Sequence, residues 1–193
     1  MNTVIIYCHP DDLELKNRLI RTVVDELDAA NQKQKVYKIF GDLYSPELLK
    51  HDEIDLPHNI NFDATINKIQ NDIEKCQHIV FVFPVYWDSL SHYLRRFTDE
   101  VFLSEWGGGK IFATEKNLKH IKATIITSMR IPQILFSGRS ARGYSNPFTI
   151  SILKLCGIKN IKWFNISKWS EQNTKIKDKK IEKMREHFNQ MMD

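Results

Sequence analysis

Ile79-Val80-Phe81-Val82-Phe83-Pro84-Val85-Tyr86-Trp87 is the longest uncharged apolar stretch in the chain, and it decides the fold. It is far shorter than the ~20 residues a membrane-spanning helix requires. Its β-branched and aromatic content reads as a strand covered on both faces, running from His78 to Phe83 and stopped by Pro84. Similar runs lie on both sides of it. Thr3 to Cys8, Val36 to Phe40, Lys122 to Thr127 and Lys159 to Ile166 complete a set of five predicted strands.

Between these strands the apolar period changes from continuous to helical. Leu19, Ile20, Val23, Val24 and Leu27 mark a helix through about Ala30. Ile66, Ile69 and Ile73 mark a second, ending near Cys76. Tyr93, Leu94, Phe97, Val101 and Phe102 supply a third face. Pro147 to Gly157 makes a fourth, with proline in its first turn and glycine at its stop, and Lys175 to Met191 a last, polar helix. Five strand–helix units in order predict a parallel, doubly wound α/β sheet. In the flavodoxin-like version the strand order is 2-1-3-4-5, and ligands bind at the carboxyl ends of strands one and three. At 193 residues one domain spans 1–193, with core enough to stand alone.

Composition narrows the function. The 42% hydrophobic and 27% charged residues are those of an ordinary globular chain, and the net charge of +4 is too small to argue for nucleic acid. The three cysteines, Cys8, Cys76 and Cys156, have no paired metal spacing and suit a reducing cytosol. His51, His58, His78, His92, His120 and His187 are scattered without metal spacing and read as surface or capping residues. Gly107-Gly108-Gly109-Lys110 has no preceding strand and no GK[ST] ending, so it is not a phosphate loop. Met1 leads directly into Val4-Ile5-Ile6-Tyr7 without a signal peptide's charged front, which predicts a cytoplasmic protein with no membrane insertion.

The loop after the third strand reads Pro84-Val85-Tyr86-Trp87-Asp88-Ser89-Leu90-Ser91, followed by Leu94-Arg95 and Asp99 on the next helix. Two large aromatics at a strand's carboxyl end suit a flat ring system as a wall, or cap the core. His9-Pro10 follows the first strand, and Leu155-Cys156-Gly157-Ile158 leads into Trp163-Phe164. In this order and spacing the segments resemble flavodoxin-like NAD(P)H dehydrogenases (quinone) and the related bacterial NAD(P)H oxidoreductases, over most of the chain.

That resemblance implies bound FMN, with FAD as the alternative, and NADH or NADPH as co-substrate. It implies hydride transfer to a quinone or similar electrophile in a homodimer. Carried over by position, Pro84, Val85, Tyr86 and Trp87 border the flavin ring. Thr127, Ser128 and Met129, after the fourth strand, border its other polar edge. His9 and the run through Leu15, Lys16 and Asn17 hold the phosphate at the first helix's N-terminus, where the helix dipole favours an anion.

Two features depart from that pattern. Glu14 stands about where such proteins place a phosphate-bonding serine, and no hydroxyl residue lies between Asp11 and Asn17. Lys16 and Asn17 offer a cation and an amide donor in compensation. After the fourth strand the sequence runs Thr127-Ser128-Met129-Arg130-Ile131-Pro132, without the relatives' paired glycines or their following Tyr and His. No catalytic side chain is assigned, since the cofactor performs the redox chemistry. The competing expectation is a flavodoxin-fold regulatory or binding module with weak or no flavin turnover.

Overall fold

In a computed structural model, five parallel strands lie in the order β2-β1-β3-β4-β5. The structure describes residues 2–8, 13–29, 31–39, 62–85, 92–103, 105–106, 117–129, 152–167 and 174–192. In chain order the elements are β1 (Asn2–Tyr7), α1 (Leu13–Ala29), β2 (Lys33–Lys38), α2 (Phe62–Lys75) and β3 (His78–Val85). Then come α3 (His92–Phe97), running into a π-helical turn Thr98–Leu103, β4 (Lys122–Met129), β5 (Asn160–Ser167) and α4 (Thr174–Met192).

Alternation along the strands builds two cores, one on each face of the sheet. Val4, Ile6, Ile79, Phe81, Phe83 and Ile125 face α2 and the π-helical turn, meeting Ile69, Ile73, Phe97 and Phe102. Ile5, Tyr7, Val80, Val82 and Ile126 face the other way, onto Val23 and Leu27 of α1 and Ile181, Met184 and Phe188 of α4. Phe102 centres the first core, with its ring 5.9 Å from Phe81 and 5.6 Å from Trp106. The π-helical turn is tied in by Gln70 of α2, whose Nε2 donates to the Val101 carbonyl at 3.0 Å.

Helix stops follow local chemistry. After α1, Asn31 takes a left-handed conformation (φ 51°), with Asn31 N–H bonded to Asp28 O and Gln32 N–H to Leu27 O. Gly157 (φ 98°) repeats the device after the helical residues 152–155, with Gly157 N–H bonded to Lys154 O and Ile158 N–H to Leu153 O. Both are paired-bond left-handed caps, and Leu153 and Ile158 add the buried apolar contact that accompanies one. The glycine stop is thus where the sequence places it. The expected helix from Pro147 lies, before residue 152, outside the described residues.

Three sequence expectations need correction. The second strand is Lys33–Lys38, not Val36–Phe40. Among the described residues it pairs with β1 alone, Asn2 opposite Lys33 through Tyr7 opposite Lys38, and an edge strand tolerates the charges that disguised it. The third strand does not stop at Pro84 but runs to Val85, and the fourth runs past Thr127 to Met129. His78 is not a surface residue: it is wholly buried at the start of β3, and His187 is half-buried on α4. His120 does cap, its ring Nε2 lying 3.0 Å from the Glu74 carbonyl near the end of α2.

Candidate active site: the crevice at the carboxyl ends

The sheet ends in a step. Pairing between β1 and β3 finishes at Tyr7 opposite Val82, with Cys8 N–H still bonded to Val82 O at 2.9 Å. Pairing between β3 and β4 continues through Phe83–Thr127, Pro84–Ser128 and Val85–Met129. At ~3.3 Å per residue the overhang rises roughly 10 Å above the end of β1. This is the point where successive connections leave in opposite directions, the place where open α/β sheets hold their ligand crevice.

Pro84 fits the step. Backbone polar groups alternate sides along a strand, and since Val82 O points to β1, Pro84 is the next residue directed that way. A proline's missing N–H would break the ladder inside the sheet, but here the β1 pairing has already ended. Beyond that point β3 turns toward the crevice a position that can accept but not donate.

The predicted site residues divide three ways. Pro84 and Val85 of β3 stand opposite Ser128 and Met129 of β4, and Thr127 opposite Phe83, so these five come together on the overhang. Thr127, Ser128 and Met129 are the last residues of β4 rather than a loop after it. Leu15, Lys16 and Asn17, with Glu14, lie in the opening turns of α1, whose first backbone N–H groups have no helical partner. His9, Tyr86 and Trp87 lie outside the described residues.

The chemistry of the overhang is neutral. Phe83, Pro84, Val85, Thr127, Ser128 and Met129 carry no charge, so the donors and acceptors are backbone groups and two hydroxyls. Thr127 is buried, and its hydroxyl is engaged inward: Trp163 Nε1 donates to it at 2.9 Å, and the Phe164 carbonyl lies 3.5 Å away. Neither the spacing nor the periodicity of the sequence signals this bond. Cys8 is buried with Val4 and Ile6. Burial pushes the Cys76 and Cys156 thiols up to about 12, so neither is a thiolate at neutral pH. On the helix after the aromatic loop, Leu94 is buried while Arg95 and Asp99 face solvent.

A second concavity, about 570 Å³, lies at the opposite end of the sheet. Asn2, Lys33, Lys35, Asp72 and Lys75 line it, at the amino ends of β1 and β2 and the end of α2. It has no part in the crevice.

The sequence matches the profile of the flavodoxin-like fold family over residues 1–191. The chain belongs to the flavodoxin-like fold family. Among solved structures of that fold it is similar to an NAD(P)H:quinone oxidoreductase from Methanothermobacter marburgensis, with 14% identity and TM-score 0.72, covering 100% of this chain and 98% of that one. It is also similar to general stress protein 14 from Treponema denticola in complex with FMN (19%, TM-score 0.64, 100% and 98% covered). A third is an FMN-dependent NADH-azoreductase from Bacillus anthracis in complex with FMN (12%, TM-score 0.69, 100% of both chains). No curated protein matches the sequence. Among the described residues of this flavodoxin-like chain, no helix is long and apolar enough to cross a membrane.

Proposed function

We propose that this protein is an FMN-dependent oxidoreductase that carries hydride from NADH or NADPH to a quinone or similar small electrophile. The observation that carries the reading is the neutral β3–β4 overhang, which leads directly into Tyr86-Trp87. A neutral rim of backbone donors and acceptors suits the polar edge of a flavin ring. Solved structures of the same fold support it: two are named for quinone and azo reduction, and the azoreductase and a general stress protein are complexes with FMN.

Bound FMN supplies the two-electron chemistry; the chain's residues hold it. In this reading Pro84 and Val85 border the ring beside Tyr86 and Trp87, and the backbone of Thr127, Ser128 and Met129 faces its polar edge. His9 and the opening turns of α1 through Leu15, Lys16 and Asn17 receive the phosphate, where unpaired N–H groups and the helix dipole favour an anion. FAD in place of FMN, and a homodimer as the working form, belong to the same proposal.

One observation favours a second reading. Glu14 sits in the first turn of α1, where a carboxylate opposes a phosphate dianion, as expected of a flavodoxin-fold module that binds flavin weakly and turns nothing over. An absorption titration with FMN, followed by NADH and NADPH oxidation with benzoquinone, separates the two. The enzyme reading requires perturbed flavin bands, quenched tryptophan emission and quinone-dependent turnover. Unchanged spectra at high micromolar FMN overturn it and leave the module.

A further inference from the structure

A side-chain bond from β5 reaches the carboxyl end of β4. Trp163 stands opposite Ile125 in the β4–β5 ladder, and Asn165 stands opposite Thr127. Paired residues of parallel strands share a face, so the Trp163 indole reaches diagonally along that face to Thr127. Its N–H donates to the Thr127 hydroxyl at 2.9 Å, two residues along the ladder nearer the crevice than Trp163 itself. The ring is half-buried against the core that holds Phe81 and Ile125, so the donor is fixed by packing.

The consequence lies in what β4 offers to a ligand. Thr127 is 2% exposed, and its hydroxyl is committed to β5. Ser128 and Met129 follow at once and are the last pairs on both sides among the described residues, opposite Pro84 and Val85 on β3 and Ile166 and Ser167 on β5. A strand end normally frays, and its last backbone groups wander with it. Here a rigid aromatic donor pins the residue just before that end.

We propose that Trp163 is a positioning residue of the crevice, setting the β4 backbone at Ser128 and Met129 through the Thr127 hydroxyl. The role rests on the FMN reading for its functional meaning, though the pinning itself does not need the cofactor.

The test uses Trp163→Phe, Thr127→Val and the double variant, each compared with the parent in two measurements. In ligand-free protein, amide hydrogen exchange at Ser128 and Met129 accelerates in both single variants, while Ala123 and Ile125 keep their protection. With FMN, each single variant weakens binding about three- to tenfold, the range for one lost hydrogen bond, and moves the bound flavin's absorption maximum. The double variant is no worse than the weaker single, because both changes remove the same bond. If the urea midpoint falls but exchange at Ser128 and Met129 and the flavin band stay put, Trp163 serves only the fold and the proposal is overturned. Additive losses in the double variant overturn the route through Thr127. Failure of the parent protein to bind FMN sinks the functional reading instead, and the exchange data still decide the pinning.

Discussion

The imidazoles of His78 and His187 are joined through a single hydroxyl, that of Thr124, at 2.9 and 3.0 Å. One hydroxyl proton serves one ring, so the other ring must donate. His78 Nδ1 is buried with no partner among the described residues, and an orphaned acceptor is cheaper than an orphaned N–H. That assigns His78 as the Nε2–H donor and His187 as the acceptor of the Thr124 proton. Both rings are therefore neutral, and each packs at a tilted angle against Phe188.

Neutral burial makes the protein acid-sensitive. Burial, then His187 and Lys122, hold the His78 imidazole down to about 3. Burial, then Lys162 and Lys122, lower His187. An unfolded histidine titrates near ~6.5, so below that pH the unfolded chain binds protons that the native rings refuse. The stability is fully present above ~6.5 and lost progressively as pH falls toward the native value. Between pH 7 and 5, His78 alone removes about 2 kcal/mol, with a smaller addition from the half-exposed His187. Urea midpoints across that range, compared with those of His78→Phe, measure it. An equally steep fall in the variant rejects the assignment.

At the β2 edge of the sheet, Asp72 anchors the edge strand to α2. It accepts from the Tyr37 hydroxyl and pairs with Lys35 at 2.6 Å. Burial alone would raise its carboxyl, but the bonds from Lys35 and Tyr37 and the charges of Lys35 and Lys68 bring it below the ordinary range. Burial and Asp72 push Tyr37 up. The two partners differ in weight, since the Lys35 side chain is 57% exposed and that of Asp72 16%. Asp72→Asn should cost about 1–3 kcal/mol, by leaving Tyr37 poorly matched. Lys35→Ala should cost under about 1 kcal/mol, as surface pairs do. Chemical denaturation of both variants checks the order, and a reversal would place the energy in the lysine.

Gly157 holds φ 98°, and a Cβ there would lie 3.3 Å from both Asn117 Cβ and the Leu118 nitrogen. Backbone strain and crowding act together, so Gly157→Ala should destabilise by about 1–2 kcal/mol. The site is on the amino side of β5, so FMN affinity should be unmoved. Thermal melting and FMN titration of the same variant test both halves.

Much of this was readable in the residues, for physical reasons that also mark the limit. Continuous apolar runs such as Ile79–Phe83 reveal strands because both faces are covered, and Gly157 reveals a stop because few other residues take its φ. Lys33-Gln34-Lys35 hid β2 because an edge strand needs little apolar content. His78 was misplaced because its burial depends on Thr124 and His187, both distant in sequence. The Trp163–Thr127 bond depends on the register of β4 against β5, which no single strand encodes. The overhang's Pro84, Val85, Thr127, Ser128 and Met129 were legible together, because strand-end position follows from the fold.

The opening turns of α1 give the sharpest test of the cofactor. Helix α1 starts at Leu13, so Glu14 occupies its first turn with Leu15, Lys16 and Asn17 just beyond. If the flavin phosphate docks there, one carboxylate faces a dianion. Near ~8 Å, at an effective dielectric between 80 and 20, each unit-charge pair costs about 0.5–2 kcal/mol before salt screening. Glu14→Ser removes that repulsion and restores a hydroxyl donor, so FMN should bind severalfold more tightly. The gain should shrink in high salt, and riboflavin, lacking phosphate, should be nearly indifferent. Lys16→Ala should act the other way, weakening FMN and sparing riboflavin. Titrations of both flavins at low and high salt provide the measurement. Unchanged FMN affinity in Glu14→Ser at low salt would mean that the phosphate does not meet this turn. An equal response from riboflavin would show the substitution acting through the helix rather than through charge.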